Sequence, residues 1–382
     1  MRFIACILVW VFLSAALPAK AALDIEKFET FVAELADSDD IVGLAIAVVH
    51  DGDIILMQTY GQRAINVSEP IDDNTRFRIA SLSKAFAATT VAQLVEEGKL
   101  SLDVPASTFA PQFRLKDTRQ LPAATLENIL SHRVGLPPYA YDNLLEAGVA
   151  PDTILQRLGD VDMTCRVGQC YGYQNVTFNI AASAVEAADE RPYAQAVETR
   201  LFDPLGLTDA SFGEARLKVD DNWARSHRRR RGQGWRLADV REPYYGIPAA
   251  GGINASISDM GKWLAAQMGG APEIINEDIR ALLFEPRVRT PAELRRNRRA
   301  KHLKNAHYGL GWRIYDYAGN TVINHSGSVE GYSAQIAFLP EDNIGFILLG
   351  NSRSGKFWEV LPAFLDMQLG LFQESKTSAG DD

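Results

Sequence analysis

The sequence predicts an α/β fold: an antiparallel sheet flanked by helices, built from both chain ends, with a mainly helical region inserted between the two halves. Three observations carry this. Apolar, β-branched segments bounded by turn residues stand near the start of the chain and again near its end. Between them the apolar positions follow the helical period, and strand patterns are scarce. No internal repeat offers a different architecture, and the length allows one large domain or two interleaved ones.

Taken in order, Ile25 to Leu35 has the spacing of an amphipathic helix. Ile41 to His50 and Asp53 to Tyr60 read as two strands joined by Asp51-Gly52, a pair suited to a tight hairpin turn. Ala85 to Glu97 is helical, with Ser81 to Lys84 in its opening turn and Gly98 as its stop. Helices are predicted at Ala123 to Ser131, Pro151 to Leu158, Val176 to Ala188 and Tyr193 to Leu201. Strands return at Tyr308 to Tyr317, Thr321 to Asn324, Tyr332 to Leu339 and Ile344 to Gly350, and a helix from Lys356 to Leu369 closes the fold. The division expected is sheet from about 22–99 and 300–372, helical insert from about 100–299, and a polar, disordered tail at 373–382.

The first 21 residues stand apart from this domain. Arg2 is followed by an apolar run from Ile4 to Leu17 and a small-x-small exit at Ala19 and Ala21. That is the three-part pattern of a cleaved export signal, and the run falls short of the ~20 residues of a membrane span. The expected location is secreted or periplasmic. Composition is that of an ordinary globular protein, 47% hydrophobic and 23% charged. Its net charge of −9 argues against nucleic acid as a partner. Cys165 and Cys170 fit neither a zinc site nor a disulfide framework; bridged or free, both states remain open in an oxidising compartment.

The chemistry centres on Ser81-Leu82-Ser83-Lys84. Residues three apart share a helix face, so the Lys84 amine can take the Ser81 proton, provided desolvation lowers its affinity for protons. Ser-x-x-Lys alone arises by chance about once in a chain of this size. Its apolar surroundings, Ile79, Ala80, Leu82, Phe86 and Ala87, give it weight, because an idle lysine in a core is costly.

With Tyr173-Gln174-Asn175 and His325-Ser326-Gly327 following in that order, the chain resembles the penicillin-recognising serine hydrolases, the branch holding class C β-lactamases, D-alanyl-D-alanine peptidases and related esterases. Ile129 to Pro137, Ala249 to Ile253 and Tyr308 to Trp312 extend the resemblance over about residues 40–370. A second Tyr-x-Asn, Tyr141-Asp142-Asn143, follows a Pro-rich loop rather than preceding a helix, so Tyr173 and Asn175 are preferred.

The resemblance implies a β-lactamase/transpeptidase-like fold and an acyl-enzyme on Ser81. Tyr173 then relays protons, and Asn175 offers its amide to substrate and to Lys84. His325, Ser326 and Gly327 form the strand along which the acyl chain lies, and Ser328 joins Ser81 in donating backbone N–H groups to the oxyanion. Whether Lys84 or Tyr173 is the formal base stays open. The triplet usually begins with Lys, so His325 is a departure that some D,D-peptidases share; a histidine there is expected to titrate near neutrality and weaken its grip on a carboxylate as pH rises. The implied substrates are small molecules or peptidoglycan peptides: D-alanyl peptides or β-lactams first, small esters next, with a non-turnover penicillin-binding sensor as the alternative of another class. No cofactor or metal is implied, and the pattern of His302 and His307 is not that of a metal site.

His132 is read as part of a structural turn. Two basic islands, Arg225 with Arg228 to Arg231 and the run from Arg287 to Lys304, are read as solvated loops that could touch an anionic envelope surface weakly. Oligomeric state is not legible.

Overall fold

The structure is a computed structural model, and it describes residues 23–230, 232–240, 243–296 and 300–372. The segments read as an export signal and a disordered polar tail lie outside the described residues.

Helix α1 (Ile25–Ala36) starts at Asp24, whose side chain accepts the Lys27 N–H, and buries Phe28, Val32 and Leu35. Strands β1 (Gly43–His50) and β2 (Asp53–Gly61) form the expected hairpin, with Asp51 and Gly52 both at positive φ as a two-residue turn requires. After β3 (Phe77–Arg78) comes α2 (Ser83–Glu96), buried continuously from Ser83 to Leu94 because it passes between the sheet and the insert. The insert is mainly helical and carries short strands β4 (Ser211–Phe212), β5 (His227–Arg230), β6 (Gly234–Leu237) and β7 (Ile253–Ala255). The chain then returns through β8 (Val288–Arg289), β9 (Leu303–Tyr308), β10 (Arg313–Tyr317), β11 (Asn320–Val329), β12 (Tyr332–Leu339) and β13 (Ile344–Gly350).

One eight-stranded antiparallel sheet runs β2-β1-β13-β12-β11-β10-β9-β8. The two ends of the chain meet within it, one strand in from the β2 edge, where β1 pairs β13 from Leu44↔Gly350 to His50↔Ile344. Alternating side chains feed two cores. On one face Leu44, Ile46 and Val48 meet α1 and the C-terminal helix Val360–Gln368; on the other Ala45, Ala47 and Val49 face α2 and the insert. The fold is therefore three layers, helices on sheet on helices.

Several predicted elements differ in detail. The segment predicted as one strand at Tyr308 to Tyr317 is the end of β9, a turn and β10. Gly311 makes the turn at φ +73°, and a Cβ there would lie 2.7 Å from the Lys84 carbonyl oxygen, so the turn is seated on α2. The sheet half begins at β8 rather than near residue 300. The helix expected at Ala123 to Ser131 shortens to Leu126–Leu130 behind a Thr125 cap, and the one at Val176 to Ala188 begins only at Ile180. The first basic island is a paired hairpin, β5 with β6, rather than a loop. Cys165 and Cys170 are disulfide-bonded. Among the described residues no helix is long and apolar enough to cross a membrane.

Phe28 anchors the outer helical layer, with its ring 5.4 Å from Phe364 and 6.4 Å from Phe346. Phe28→Ala removes that plug, and the expected cost is about 3–5 kcal/mol. Denaturant titration measures it; a loss under 1 kcal/mol would mean that α1 contributes little to the core.

Candidate active site

The nucleophile turn is held before any side chain acts. Ile79 N–H donates to Ile253 O at 3.1 Å, extending the β3–β7 pairing to the edge of the site. Ser83 Oγ donates to Ala80 O at 2.7 Å and accepts the Ile253 N–H at 3.1 Å, so one hydroxyl ties the turn to β7. Ala80 sits at φ +51°, a left-handed conformation that costs a residue with a β-carbon and persists because these bonds over-determine it. Ser81 follows in a 3₁₀ turn (Ala80–Leu82) that runs into α2 and lines the cavity between sheet and insert.

Lys84, one turn on, is fully buried. Its Nζ lies 2.8 Å from Asn175 Oδ1, 2.9 Å from Ala250 O and 3.3 Å from Ser81 Oγ. Burial drives its proton affinity well below that of an ordinary lysine; Asp142 opposes the shift and Arg313 adds to it. A neutral amine has two N–H bonds and one lone pair. With two carbonyl oxygens taking the N–H groups, the lone pair is left for the Ser81 hydroxyl.

Tyr173 is buried, and its hydroxyl is hydrogen-bonded with Ser81. Burial raises its pKa well above the usual phenol range, with Arg313 and the Ser81 contact acting the other way, so the phenol keeps its proton. Asn175 accepts from Lys84 and donates through Nδ2 to Asp142 Oδ2 at 2.6 Å. The Tyr-x-Asn set aside in the sequence thus contributes its middle residue to the site. Asp142 carries no motif of its own, and only the folded geometry brings it behind Asn175.

β11 supplies the other wall. The β10 pairing ends at Arg313↔Asn324, and the ladder continues only to β12 from His325 to Val329. That outer edge is open to an extended substrate backbone, the arrangement by which a strand is added to a sheet. His325, Ser326, Gly327 and Ser328 all line the cavity with Ser81, Tyr173 and Asn175, and Lys84 lies buried behind Ser81; the disulfide pair is elsewhere. Gly327 explains the close approach: a Cβ there would lie 2.6 Å from Ile79 O and 2.9 Å from Ser81 N.

The expectation for His325 needs correction. It is almost wholly buried, its Nε2 lies 3.0 Å from Tyr308 Oη, and burial first, then Arg313, Lys84 and His132, push its pKa well below the usual histidine value. That direction favours the neutral imidazole and is opposite to what an anion anchor needs. The fixed positive charge is Arg313 at the start of β10, with its guanidinium 5.6 Å from the Tyr173 ring and 5.9 Å from the Tyr308 ring. Burial works against that charge, and Glu293, 3.9 Å away, helps to sustain it. Sequence reasoning missed Arg313; its one signal was an arginine among the apolar residues of a strand. Among the described residues no group of three His, Cys, Asp or Glu side chains could hold a metal ion.

Gly327→Ala forces the nucleophile turn and β11 apart. The expected result is about 10²-fold slower labelling of Ser81 by a fluorophosphonate probe, with the melting temperature within a few degrees of wild type. Labelling at the wild-type rate would show that the close approach is dispensable.

Comparison with known proteins agrees with this fold. The chain is 26% identical over 353 residues to the unguisins hydrolase ungD of Aspergillus violaceofuscus, and 20% identical over 344 residues to protein flp of Staphylococcus aureus. Those alignments cover 85% and 86% of this chain but only 61% and 63% of the relatives, so the chain spans less than two thirds of their length. A solved structure, the octameric penicillin-binding protein homologue from Pyrococcus abyssi, superposes with a TM-score of 0.79 at 25% identity, covering 91% of this chain and 78% of that one. The Beta-lactamase family model matches residues 28–366, and the chain belongs to that family.

Proposed function

We propose that this protein is an exported serine hydrolase that forms an acyl-enzyme on Ser81 and acts on D-alanyl peptides or β-lactams. The observation that carries the reading is the Lys84 amine, buried, pinned by two carbonyl oxygens and 3.3 Å from Ser81 Oγ. In acylation Ser81 Oγ bonds to the substrate carbonyl carbon while its proton passes to Lys84 Nζ. Charge gathers on the carbonyl oxygen beside the backbone N–H groups of Ser81 and Ser328. The C–N bond then breaks as the proton reaches the leaving nitrogen by way of Tyr173. Water attacks the acyl carbon, gives its proton back along the same route, and releases the acid with Ser81 restored.

The opposite pKa displacements of Lys84 and Tyr173 support Lys84 as the resting-state base and Tyr173 as a protonated relay. Arg313 supports the substrate class. A permanent cation at the point where the open edge of β11 begins suits a substrate bearing a carboxylate, as D-alanyl peptides and β-lactams do, over a neutral ester. Export rests on the first 21 residues, and cell fractionation of the full chain tests it.

Turnover of nitrocefin, a D-Ala-D-Ala peptide and p-nitrophenyl acetate by wild type and by Ser81→Ala tests the mechanism. The mutant is expected to lose at least about 10³-fold on every substrate the wild type uses. Equal rates would overturn it; turnover of p-nitrophenyl acetate alone would make the enzyme an esterase, and a fluorescent penicillin label never released would make it a sensor.

Two further outcomes follow from the charges. Arg313→Met should raise KM for the carboxylate-bearing substrates about 10-fold or more and leave that for p-nitrophenyl acetate little changed. Because His325 is neutral, KM should stay flat through pH 6–8, whereas kcat should fall on acidification as Lys84 takes up a proton. A rise of KM across that range, abolished in His325→Lys, would restore His325 as the anion anchor.

A further inference from the structure

His132 lies outside the reaction just described, yet its backbone and ring together grip the segment that carries Tyr173. Gly172 N–H donates to His132 O at 2.9 Å and Gln174 N–H donates to His132 Nδ1 at 3.1 Å, so the residues on either side of Tyr173 are tied to one histidine. Tyr139 N–H donates to Tyr173 O at 2.7 Å, which closes the grip from the same stretch of chain. The imidazole lies against the Tyr173 ring with centroids 4.3 Å apart, and edge-on to Tyr308 at 4.7 Å. Tyr308 in turn bonds His325 at 3.0 Å, so the contact reaches the substrate strand. His132 itself is fully buried and held at φ +58°, a conformation uncommon outside glycine.

Resting on the hydrolase reading, we propose that His132 is a positioning residue: its Nδ1 and carbonyl oxygen fix the backbone on both sides of Tyr173 and aim the phenol at Ser81.

The chemistry fixes its state. A backbone N–H can only donate, so Nδ1 must carry the lone pair and the proton must sit on Nε2. An imidazolium would lose the Gln174 bond and add a positive charge beside Arg313; burial first, with Arg313 adding to it, pushes the ring's pKa well below the usual histidine value. Among the described residues no group hydrogen-bonds Nε2, and both bonds that His132 accepts here come from the backbone beside Tyr173. His132 therefore acts only through where it holds Tyr173.

The test uses two amide substitutions that disturb ring packing alike and differ in where they place an acceptor. Asn puts its oxygen near the Nδ1 position, and Gln puts it near Nε2. His132→Asn is expected to keep kcat within about 10-fold of wild type, while His132→Gln and His132→Leu lose about 10²-fold in kcat with KM little changed and Ser81 labelling by a fluorophosphonate slowed in parallel. Gln equal to or better than Asn, or a loss confined to KM, would overturn the proposal. Should the variants not fold, the ¹⁵N spectrum of the wild-type imidazole decides: protonated Nε2 and bare Nδ1 are expected, and a proton on Nδ1 would overturn it. Ser81→Ala matching wild type would sink the hydrolase reading instead and leave the tautomer result standing.

Discussion

A lysine amine stripped of water is the constraint on which the rest of this structure depends. In the proposed reaction Lys84 serves as a base only when it is neutral, and burial on all sides pushes it that way by driving its pKa well below that of an ordinary lysine. Burial demands that its N–H groups find acceptors, which Asn175 Oδ1 and Ala250 O supply from two separate parts of the insert. Those parts must therefore be held against α2, and the inner core does this with apolar residues along nearly its whole length. Asp142 behind Asn175 moderates the shift by favouring the charged amine, and Arg313 deepens it by disfavouring that charge. The proton affinity of Lys84 is a balance among elements far apart in sequence.

The second demand is that the sheet approach the nucleophile. Ser81 stands on a turn that the insert holds through β7, whereas β11 belongs to a sheet whose strands come from both chain ends. Gly327 lets the two meet at backbone distance, and Gly311 does the same between the β9–β10 turn and the carbonyl of Lys84. Arg78, fully buried, adds an ion pair to Glu330 at 2.9 Å that joins the strand before Ser81 to the turn after β11. A buried pair of this kind contributes little net stability, but losing one partner is costly, so it specifies the relative position of the two parts.

Much of this was legible in the sequence, for reasons that differ by element. The β1–β2 hairpin and the late strands announced themselves through alternation and turn chemistry, because local physics decides them. Ser81 and Lys84 could be read because a helix converts spacing into proximity. Tyr173, Asn175 and His325 came from a resemblance, and the structure brings them to the same cavity. What failed was everything set by distant packing. The break between β9 and β10 needs the contact of Gly311 with α2, and the neutrality of His325 needs Arg313, Lys84 and His132 around it. Asp142 belonged to a motif that had been set aside, and its place behind Asn175 is a tertiary fact.

The charge on the substrate side completes the logic. A histidine at position 325 leaves the strand without the permanent cation that lysine would provide, and burial prevents that histidine from acquiring one. Arg313 can hold its charge where His325 cannot, because a guanidinium resists deprotonation and Glu293 stands beside it. Under the proposed function the site would separate two tasks that a single lysine combines: attraction of an anion would fall to Arg313, while the strand keeps an imidazole bonded to Tyr308. Arg313 also lies near Tyr173 and lowers the proton affinity of Lys84, so under the proposed function the cation that would draw a carboxylate also favours the neutral amine. In that reaction a carboxylate arriving at Arg313 would offset part of the positive field, and substrate binding would raise the basicity of Lys84 when the Ser81 proton has to move.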